Sequence, residues 1–153
     1  MVVFCFGSKL FLSMSDLYQT FPIGINVFVI RDGKLLLGKR KNIFGNGTWG
    51  LPGGHLEPRE SMMDAAAREL MEETGLRAKS FEFSNVVNDK GSNKHYVQIG
   101  FIAQEVEGEP EVKESDRCWQ WQWFPLDHLP AELFPPHIQQ IENLLHQSPF
   151  ADS

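Results

Sequence analysis

Cysteine and positive charge are both scarce in this sequence. Its two cysteines, Cys5 and Cys118, lie far apart and belong to no CxxC or Cys/His pattern, which excludes a disulfide framework and a zinc site. Lysine and arginine number 14 against 20 aspartates and glutamates, so the formal net charge is −6. Because this charge repels polyanions, we expect no nucleic-acid polymer as a partner.

Long apolar runs are also absent. No segment approaches the roughly 20 apolar residues that a bilayer-spanning helix needs, so we expect no membrane association and a location in the reducing cytoplasm. Residues 1–13 are apolar but contain Lys9, lack a basic n-region and offer no small-x-small cleavage site. Since Met14 opens a more polar start, we interpret residues 1–13 as an N-terminal extension, either non-native or disordered, and residues 14–153 as one domain.

Hydrophobic periodicity predicts strands and two helices in one layered domain. Strand-like patterns occupy residues 25–30, 35–39, 49–51, 80–88, 94–105 and 119–124. Asp32 and Gly33 predict a hairpin turn between the first two runs. Helical patterns cover residues 60–74 and 137–146. Strands flanking two helices, without repeats or linkers, favour an α/β fold on a mixed sheet.

The helix at 60–74 has signals at both ends. Ser61 followed by Asp64 is a weak capping box, and Gly75 suits the left-handed position after the last turn. Helical spacing predicts a sheet-facing stripe of Met63, Ala66, Ala67 and Leu70. The last helix is expected to bury Ile138, Ile141, Leu144 and Leu145.

Three glutamates crowd the end of the first helix. Glu69, Glu72 and Glu73 lie at i, i+3 and i+4, and like charges at this spacing repel by about 0.2–0.5 kcal/mol per pair. Arg68 can pair with Glu72 and with Asp64, which relieves only part of this repulsion. A solvated helix face is the ordinary explanation, but a magnesium ion would also resolve the conflict because it takes carboxylate oxygens as ligands.

The spacing around these glutamates resembles the Nudix box. Gly54, then Glu60 after five residues, then RELMEETGL at 68–76 after seven more match the box without a gap. The segment WGLPGGHLE at 49–57 is similar to MutT-like members, and residues 36–40 and 121–130 resemble further strands of the Nudix hydrolase family. The resemblance implies an α/β/α sandwich with a mixed β-sheet, in which the box forms a loop, a helix and a loop.

The resemblance also implies a role for each charged residue of the box. Glu69 and Glu73 would be the principal ligands of Mg²⁺, with Mn²⁺ as a substitute. Glu72 would be a further ligand or the general base. Glu60 would act through water or a neighbouring group, and Arg68 would orient the carboxylates by pairing with them.

Glycines and one arginine complete the comparison with the box. A backbone carbonyl around Gly53 or Gly54 would finish the metal coordination and meet substrate, because glycine lets the chain bend tightly and approach closely. The sequence departs from the family at Arg59, where many relatives carry glycine. If this position requires a positive φ, arginine costs on the order of 1 kcal/mol there.

The activity that the resemblance implies is hydrolysis of a nucleoside triphosphate to the monophosphate and pyrophosphate. ADP-ribose, another nucleoside diphosphate derivative or a non-nucleotide diphosphate are the alternative substrates. The alternative class of protein is a binding or regulatory module without catalysis. An inactive site, however, has no physical reason to keep mutually repelling glutamates. The family resemblance is also compatible with a homodimer.

Several residues outside the box are weaker candidates. Arg40, next to Lys39, is a candidate for binding substrate phosphates, with plain surface charge as the alternative. Packing is the favoured interpretation, and contact with a base the alternative, for Phe44, Trp49, His95 and Tyr96. We interpret His55 as structural. Two acidic residues are interpreted as solvated loop charges, with a further metal ligand or base as the alternative: Glu114 and Asp116.

Overall fold

A computed structural model describes residues 20–91 and 94–152. The strands are β1 (Ile23–Phe28), β2 (Ile30–Arg31), β3 (Lys34–Arg40), β4 (Trp49–Gly50), β5 (Gly53–His55), β6 (Arg77–Asp89), β7 (Tyr96–Glu107), β8 (Cys118–Pro125) and β9 (Phe150–Asp152). The helices are α1 (Met62–Thr74) and α2 (Pro135–Leu145), and neither is long and apolar enough to cross a bilayer. The extension proposed for residues 1–13 lies outside the described residues, so the domain division remains a prediction.

The strands form two sheets. The first has the order β5-β1-β7-β6-β9, in which β1 is parallel to β7 and antiparallel to β5, while β6 is antiparallel to β7 and parallel to β9. In the second sheet β3 pairs antiparallel with β2, β4 and β8. The first sheet therefore confirms the predicted α/β fold on a mixed sheet.

The apolar run at 25–30 contributes to both sheets instead of forming one strand. β1 ends at Phe28 and β2 begins at Ile30, so the chain changes sheet at Val29. Asp32 (φ 50°) and Gly33 (φ 69°) then form the predicted hairpin turn. The single-strand prediction was wrong because a continuous apolar run does not mark the point at which a buried chain changes sheet.

The two helices cover opposite faces of the mixed sheet. Ile25 packs in one apolar cluster with Leu70 of α1, whereas Phe28 packs in a second cluster with Ile141 of α2. Alternate side chains of a strand point to opposite faces, so β1 lies between the helices. This is the α/β/α layering that the resemblance implied.

The ends of α1 follow the predicted signals. Ser61 is the N-cap, and its Oγ accepts from the backbone N–H of Asp64 at 3.1 Å. Gly75 has a φ of 74° and donates its N–H to Met71 O at 2.9 Å. The helix begins at Met62 instead of Glu60 because Ser61 is extended and already caps it.

The buried face of α1 differs from the predicted stripe. Met63 is 54% exposed and Ala67 is also exposed, whereas Ala65, Ala66 and Leu70 are buried. The helix is rotated so that small alanines face the sheet. In this orientation Glu69 and Glu73, at the C-terminal end of the helix, face β5.

The buried face of α2 also differs from the expectation. Ile138 is 38% exposed and Leu145 is 44% exposed, while Ile141 is buried as expected. His137 and Gln140 are buried instead, because each has a polar partner inside the fold. The apolar pattern alone could not show those partners.

Candidate active site

Gly53 and Gly54 of β5 bring backbone and carboxylates into close contact. A Cβ on Gly53 would lie 2.2 Å from Ile25 O, and a Cβ on Gly54 would lie 2.3 Å from Glu69 Oε1. Both distances are far below van der Waals contact, so neither position accepts a side chain without movement. Gly53 therefore lets β5 lie directly against β1, and Gly54 lets it lie against Glu69 of α1.

Glu73 is a half-buried glutamate whose carboxylate lies against β5. The backbone N–H of Gly53 donates to Glu73 Oε2 at 2.9 Å. Burial raises the pKa of Glu73 to about 8, and the neighbouring charges of Glu69 and Glu114 contribute to the rise. The hydrogen bond from Gly53 and the charge of Arg40 oppose it. A cation next to this carboxyl group would stabilise its ionised form and lower its pKa again.

Arg68 connects three of the box glutamates. Its Nε lies 2.8 Å from Glu60 Oε1, and its Nη1 lies 2.6 Å from Glu69 Oε1 and 3.3 Å from Glu72 Oε2. Its Nη2 donates to the carbonyl of His55 at 3.1 Å. The hydrogen bond from Arg68 lowers the pKa of Glu60, whereas burial raises that of Glu69. Arg68 thus has the geometry of a positioning residue.

The predicted pairing of Arg68 with Asp64 is wrong. Asp64 Oδ2 accepts instead from Ser61 Oγ at 2.7 Å, as part of the helix cap. The side chain of Glu72 is 55% exposed and contacts Arg68. Glu73 is the box glutamate that lines the adjacent cleft. The roles assigned to Arg68 and to the four box glutamates remain predictions.

The cleft lies between the two sheets and has a volume of about 320 Å³. Arg40 of β3 lines it, with its guanidinium 3.9 Å from the ring centre of Phe134 and its Nε donating to Phe44 O at 3.0 Å. Burial lowers the pKa of Arg40, and the charge of Glu73 opposes this shift. Lys39 lies instead over the ring of Trp49 and does not line the cleft.

The four base-contact candidates separate into core and cleft residues. Trp49 is 7% exposed in the second core cluster, which confirms packing, and His95 packs on Phe21. Phe44, which is 65% exposed, and Tyr96 both line the cleft. His55 stacks on Tyr96 at the same opening, with ring centres 5.7 Å apart. The aromatic wall of the cleft therefore contains Phe44 and Tyr96.

Glu114 is not the solvated loop charge that we expected. It is half-buried, lines the cleft and contributes to the raised pKa values of Glu69 and Glu73. The segment after β7 folds back onto α1, because the backbone N–H groups of Glu111 and Lys113 donate to carbonyls of its last turn. Asp116 remains exposed, as expected.

Three buried polar residues of the cleft were not predicted from the sequence as site residues. Asn26 and Gln98 lie on the cleft floor, and His137 lies in its wall. His137 Nδ1 accepts from the backbone N–H of Leu51 at 2.9 Å, and burial lowers the pKa of the ring to about 3, so the imidazole is neutral. Polar side chains inside otherwise apolar strands were the available signal for Asn26 and Gln98.

The carboxylates at this end of the cleft suit a hard divalent cation. Glu69 and Glu73 approach the glycine backbone, and Glu114 adds a third acidic group. Within residues 20–91 and 94–152, no three acidic, histidine or cysteine side chains form a finished cage. Arg68 contacts the carboxylate of Glu69, and the Gly53 N–H contacts the carboxylate of Glu73. The donor set fits Mg²⁺, which is commonly bound through one or two carboxylates and several waters.

The chain belongs to the NUDIX domain family, whose profile matches residues 20–144. The ADP-ribose pyrophosphatase of Methanocaldococcus jannaschii is 34% identical over 120 residues, which cover 77% of this chain and 70% of that protein. The oxidized purine nucleoside triphosphate hydrolase of Mus musculus is 35% identical over 133 residues, covering 81% of this chain and 80% of that protein.

A solved structure agrees with these sequence matches. The MutT NUDIX hydrolase from Burkholderia pseudomallei aligns with a TM-score of 0.75 and 35% identity, covering 81% of this chain and 98% of that chain. The protein is therefore a MutT-like Nudix hydrolase, which confirms the family and the enzyme class predicted from the box.

Proposed function

We propose that this protein hydrolyses a nucleoside triphosphate to the monophosphate and pyrophosphate with the help of Mg²⁺. The observation that carries the proposal is the half-buried Glu73 beside Gly53 and Gly54 of β5, in the same cleft as Arg40. A carboxylate for a cation and a guanidinium for phosphate oxygens are the complementary parts that a phosphoanhydride requires. The mouse relative bears the name of a triphosphate hydrolase, which supports the choice of substrate.

Each residue of the site has a proposed role in this reaction. Glu69 and Glu73, with a Gly53 or Gly54 carbonyl, would hold the cation, which when bound neutralises phosphate charge and acidifies an attacking water. Glu72 is a further ligand or the general base. Arg68 keeps Glu60 and Glu69 in position through the contacts described above. Arg40 binds the phosphate chain.

A substrate screen tests this assignment directly. The purified protein is incubated with Mg²⁺ and a panel of nucleoside triphosphates, nucleoside diphosphates and ADP-ribose, and the nucleoside monophosphate, pyrophosphate and phosphate formed are each quantified. We expect pyrophosphate and a monophosphate from at least one triphosphate. Turnover of the diphosphates or ADP-ribose alone would contradict the triphosphate assignment.

A conservative substitution tests the role of Glu73. Glu73→Gln keeps the shape of the side chain but removes its charge, so we expect kcat to fall on the order of 100-fold or more. Glu142→Gln, which neutralises an exposed glutamate on α2, is the matched control and should leave turnover unchanged. Unaltered turnover in Glu73→Gln would reject the catalytic assignment.

ADP-ribose is the second candidate substrate. The archaeal relative at 34% identity is named an ADP-ribose pyrophosphatase, and the same site could bind that diphosphate. Products distinguish the two candidates, because ADP-ribose yields AMP and ribose phosphate without pyrophosphate. A non-catalytic module would bind nucleotides without releasing any product.

The location, partners and oligomeric state of the protein are predicted from its charge, its sequence pattern and its family. We propose a cytoplasmic protein that works on small nucleotides without a nucleic-acid polymer or a membrane as partner, on the basis of its formal net charge of −6 and the sequence pattern. The homodimer suggested by the family resemblance is also a proposal. Sedimentation analysis of the purified chain would test it.

A further inference from the structure

Two carboxamide side chains lie buried on the floor of the cleft. Asn26 on β1 is 4% exposed and Gln98 on the neighbouring strand β7 is 7% exposed. Both line the cleft that contains Glu73 and Arg40. Polar groups at such burial need hydrogen-bond partners, since an unsatisfied one destabilises the folded protein.

A hydrogen-bond network fixes the orientation of both groups. Asn26 Nδ2 donates to Gln98 Oε1 at 2.9 Å and to Gln140 Oε1 at 2.8 Å. These two bonds use both amide hydrogens of Asn26, and Gln140 is itself fully buried in α2. The network therefore leaves the oxygen of Asn26 and the NH₂ group of Gln98 for other partners.

Asn26 Oδ1 and Gln98 Nε2 both reach the surface of the cleft. Among the described residues, neither Asn26 Oδ1 nor Gln98 Nε2 has a hydrogen-bond partner in the protein, and neither atom is sealed from solvent. Asn26 Oδ1 lies beside Gly53, where an added Cβ would be 2.8 Å away. One acceptor and one donor on the cleft floor are thus available to a bound ligand.

Gly24 makes room for this arrangement. It pairs with Gln98 in the parallel ladder, and a Cβ at position 24 would lie 2.1 Å from Gln98 Oε1. Any side chain there would displace the carboxamide from the sheet. The glycine lets Gln98 lie flat along the cleft floor.

We propose that Asn26 and Gln98 recognise the nucleoside part of the substrate. Gln98 Nε2 donates to an oxygen or ring nitrogen of the nucleoside, and Asn26 Oδ1 accepts an N–H or O–H from it. An alkyl group in this position offers neither bond and leaves both buried atoms unsatisfied, so the pair selects a nucleoside over an apolar organic group. This inference rests on the proposed function, because it concerns the same cleft.

Ligand binding to the whole protein in Mg²⁺ separates recognition from catalysis. Gln98→Met keeps the length of the side chain but removes its donor and acceptor. We expect the dissociation constant for the best-bound common nucleoside monophosphate, measured by calorimetry, to rise about 10- to 100-fold. Binding of pyrophosphate, which has no nucleoside, should be unchanged. Gln120→Met, on an exposed residue outside the cleft lining, is the control.

A second variant keeps the test decisive if Gln98→Met does not fold. Gln98→Glu is isosteric and replaces the donor with an acceptor, so it should also weaken monophosphate binding more than pyrophosphate binding. Equal loss of both ligands, or no loss of either, in a folded variant would overturn the proposal. Failure of the proposed function would look different: the unaltered protein would release no pyrophosphate from triphosphates, whatever its affinity for monophosphates.

Discussion

Arg59 adopts a left-handed backbone conformation, with a φ of 70°, in the turn that leads into α1. A side chain with a Cβ is strained in this region, whereas glycine is not. Contacts of the next residue hold the turn in place, because Glu60 binds Arg68 and accepts from the N–H of Glu57. The family preference for glycine at this position thus has a conformational cause.

We expect Arg59→Gly to stabilise the protein. Removing the Cβ relieves strain on the order of 1 kcal/mol, of which the greater freedom of glycine in the unfolded chain offsets part. The free energy of unfolding, measured by urea denaturation, should therefore rise by up to about 1 kcal/mol. Arg59→Ala keeps the Cβ but removes the charge, and an equal gain in that variant would show that strain is not the cause.

Strand β8 holds the last turn of α1 through Trp121. The indole Nε1–H donates to the carbonyl of Glu73 at 3.2 Å, and the backbone N–H of Lys113 donates to the same carbonyl at 3.3 Å. The ring lies on Gly38 of β3, where a Cβ would be 2.6 Å from a ring carbon. The second sheet thereby fixes the position of Glu73, so Trp121 is a positioning residue.

Trp121→Phe should separate this role from simple packing. The phenyl ring preserves much of the contact with Gly38 but removes the indole N–H, so the end of α1 gains freedom. We expect kcat to fall about 10-fold and the Mg²⁺ concentration for half-maximal activity to rise, as outer hydrogen bonds at metal sites typically produce. Titration of activity with Mg²⁺ measures both effects.

Trp123→Phe is the matched control, since Trp123 is a half-buried tryptophan on the same strand whose ring packs on Arg31. It should leave the Mg²⁺ dependence unchanged. A similar shift in both variants would indicate that general loosening of β8 is responsible.

Local signals and tertiary contacts differ in how well the sequence reveals them. The caps of α1 at Ser61 and Gly75 were predictable because each depends on residues within one turn. The buried side of the helix was not, because Met63 and Ala66 are equally compatible with an apolar stripe until the sheet is placed. The box glutamates could be found by spacing alone, whereas Asn26 and Gln98 acquire meaning only when β1 lies beside β7.

Acidic charge is concentrated at one place in the molecule as a whole. The chain carries a formal net charge of −6, and the half-buried Glu69, Glu73 and Glu114 lie close enough for their charges to interact. Burying like charges together opposes folding unless a counter-ion joins them. A cation bound at this place would therefore stabilise the folded protein.

Mg²⁺ should raise the melting temperature of the unaltered protein. At a concentration about 100 times the dissociation constant, binding to the folded state contributes about 2.7 kcal/mol, which corresponds to a Tm rise of roughly 5–10 °C for a domain of this size. Calorimetry with and without MgCl₂, at an ionic strength matched with NaCl, measures the shift.

Glu73→Gln should lose most of this Tm rise, because it removes a proposed ligand, while Glu142→Gln should retain it. If the unaltered protein shows no rise with Mg²⁺ or Mn²⁺, even with nucleotide present, the proposed cation site is refuted.

The glycines around the cleft give the molecule an unusual pattern of mutational tolerance. At Gly24, Gly38, Gly53 and Gly54 the first carbon of any side chain would collide with a neighbour. These glycines have no side chain, and the conformations of Gln98, Trp121 and Glu69 depend on the space that this leaves. Saturation mutagenesis should therefore identify a band of positions across both sheets that tolerate no substitution. None of these positions carries a reactive side chain.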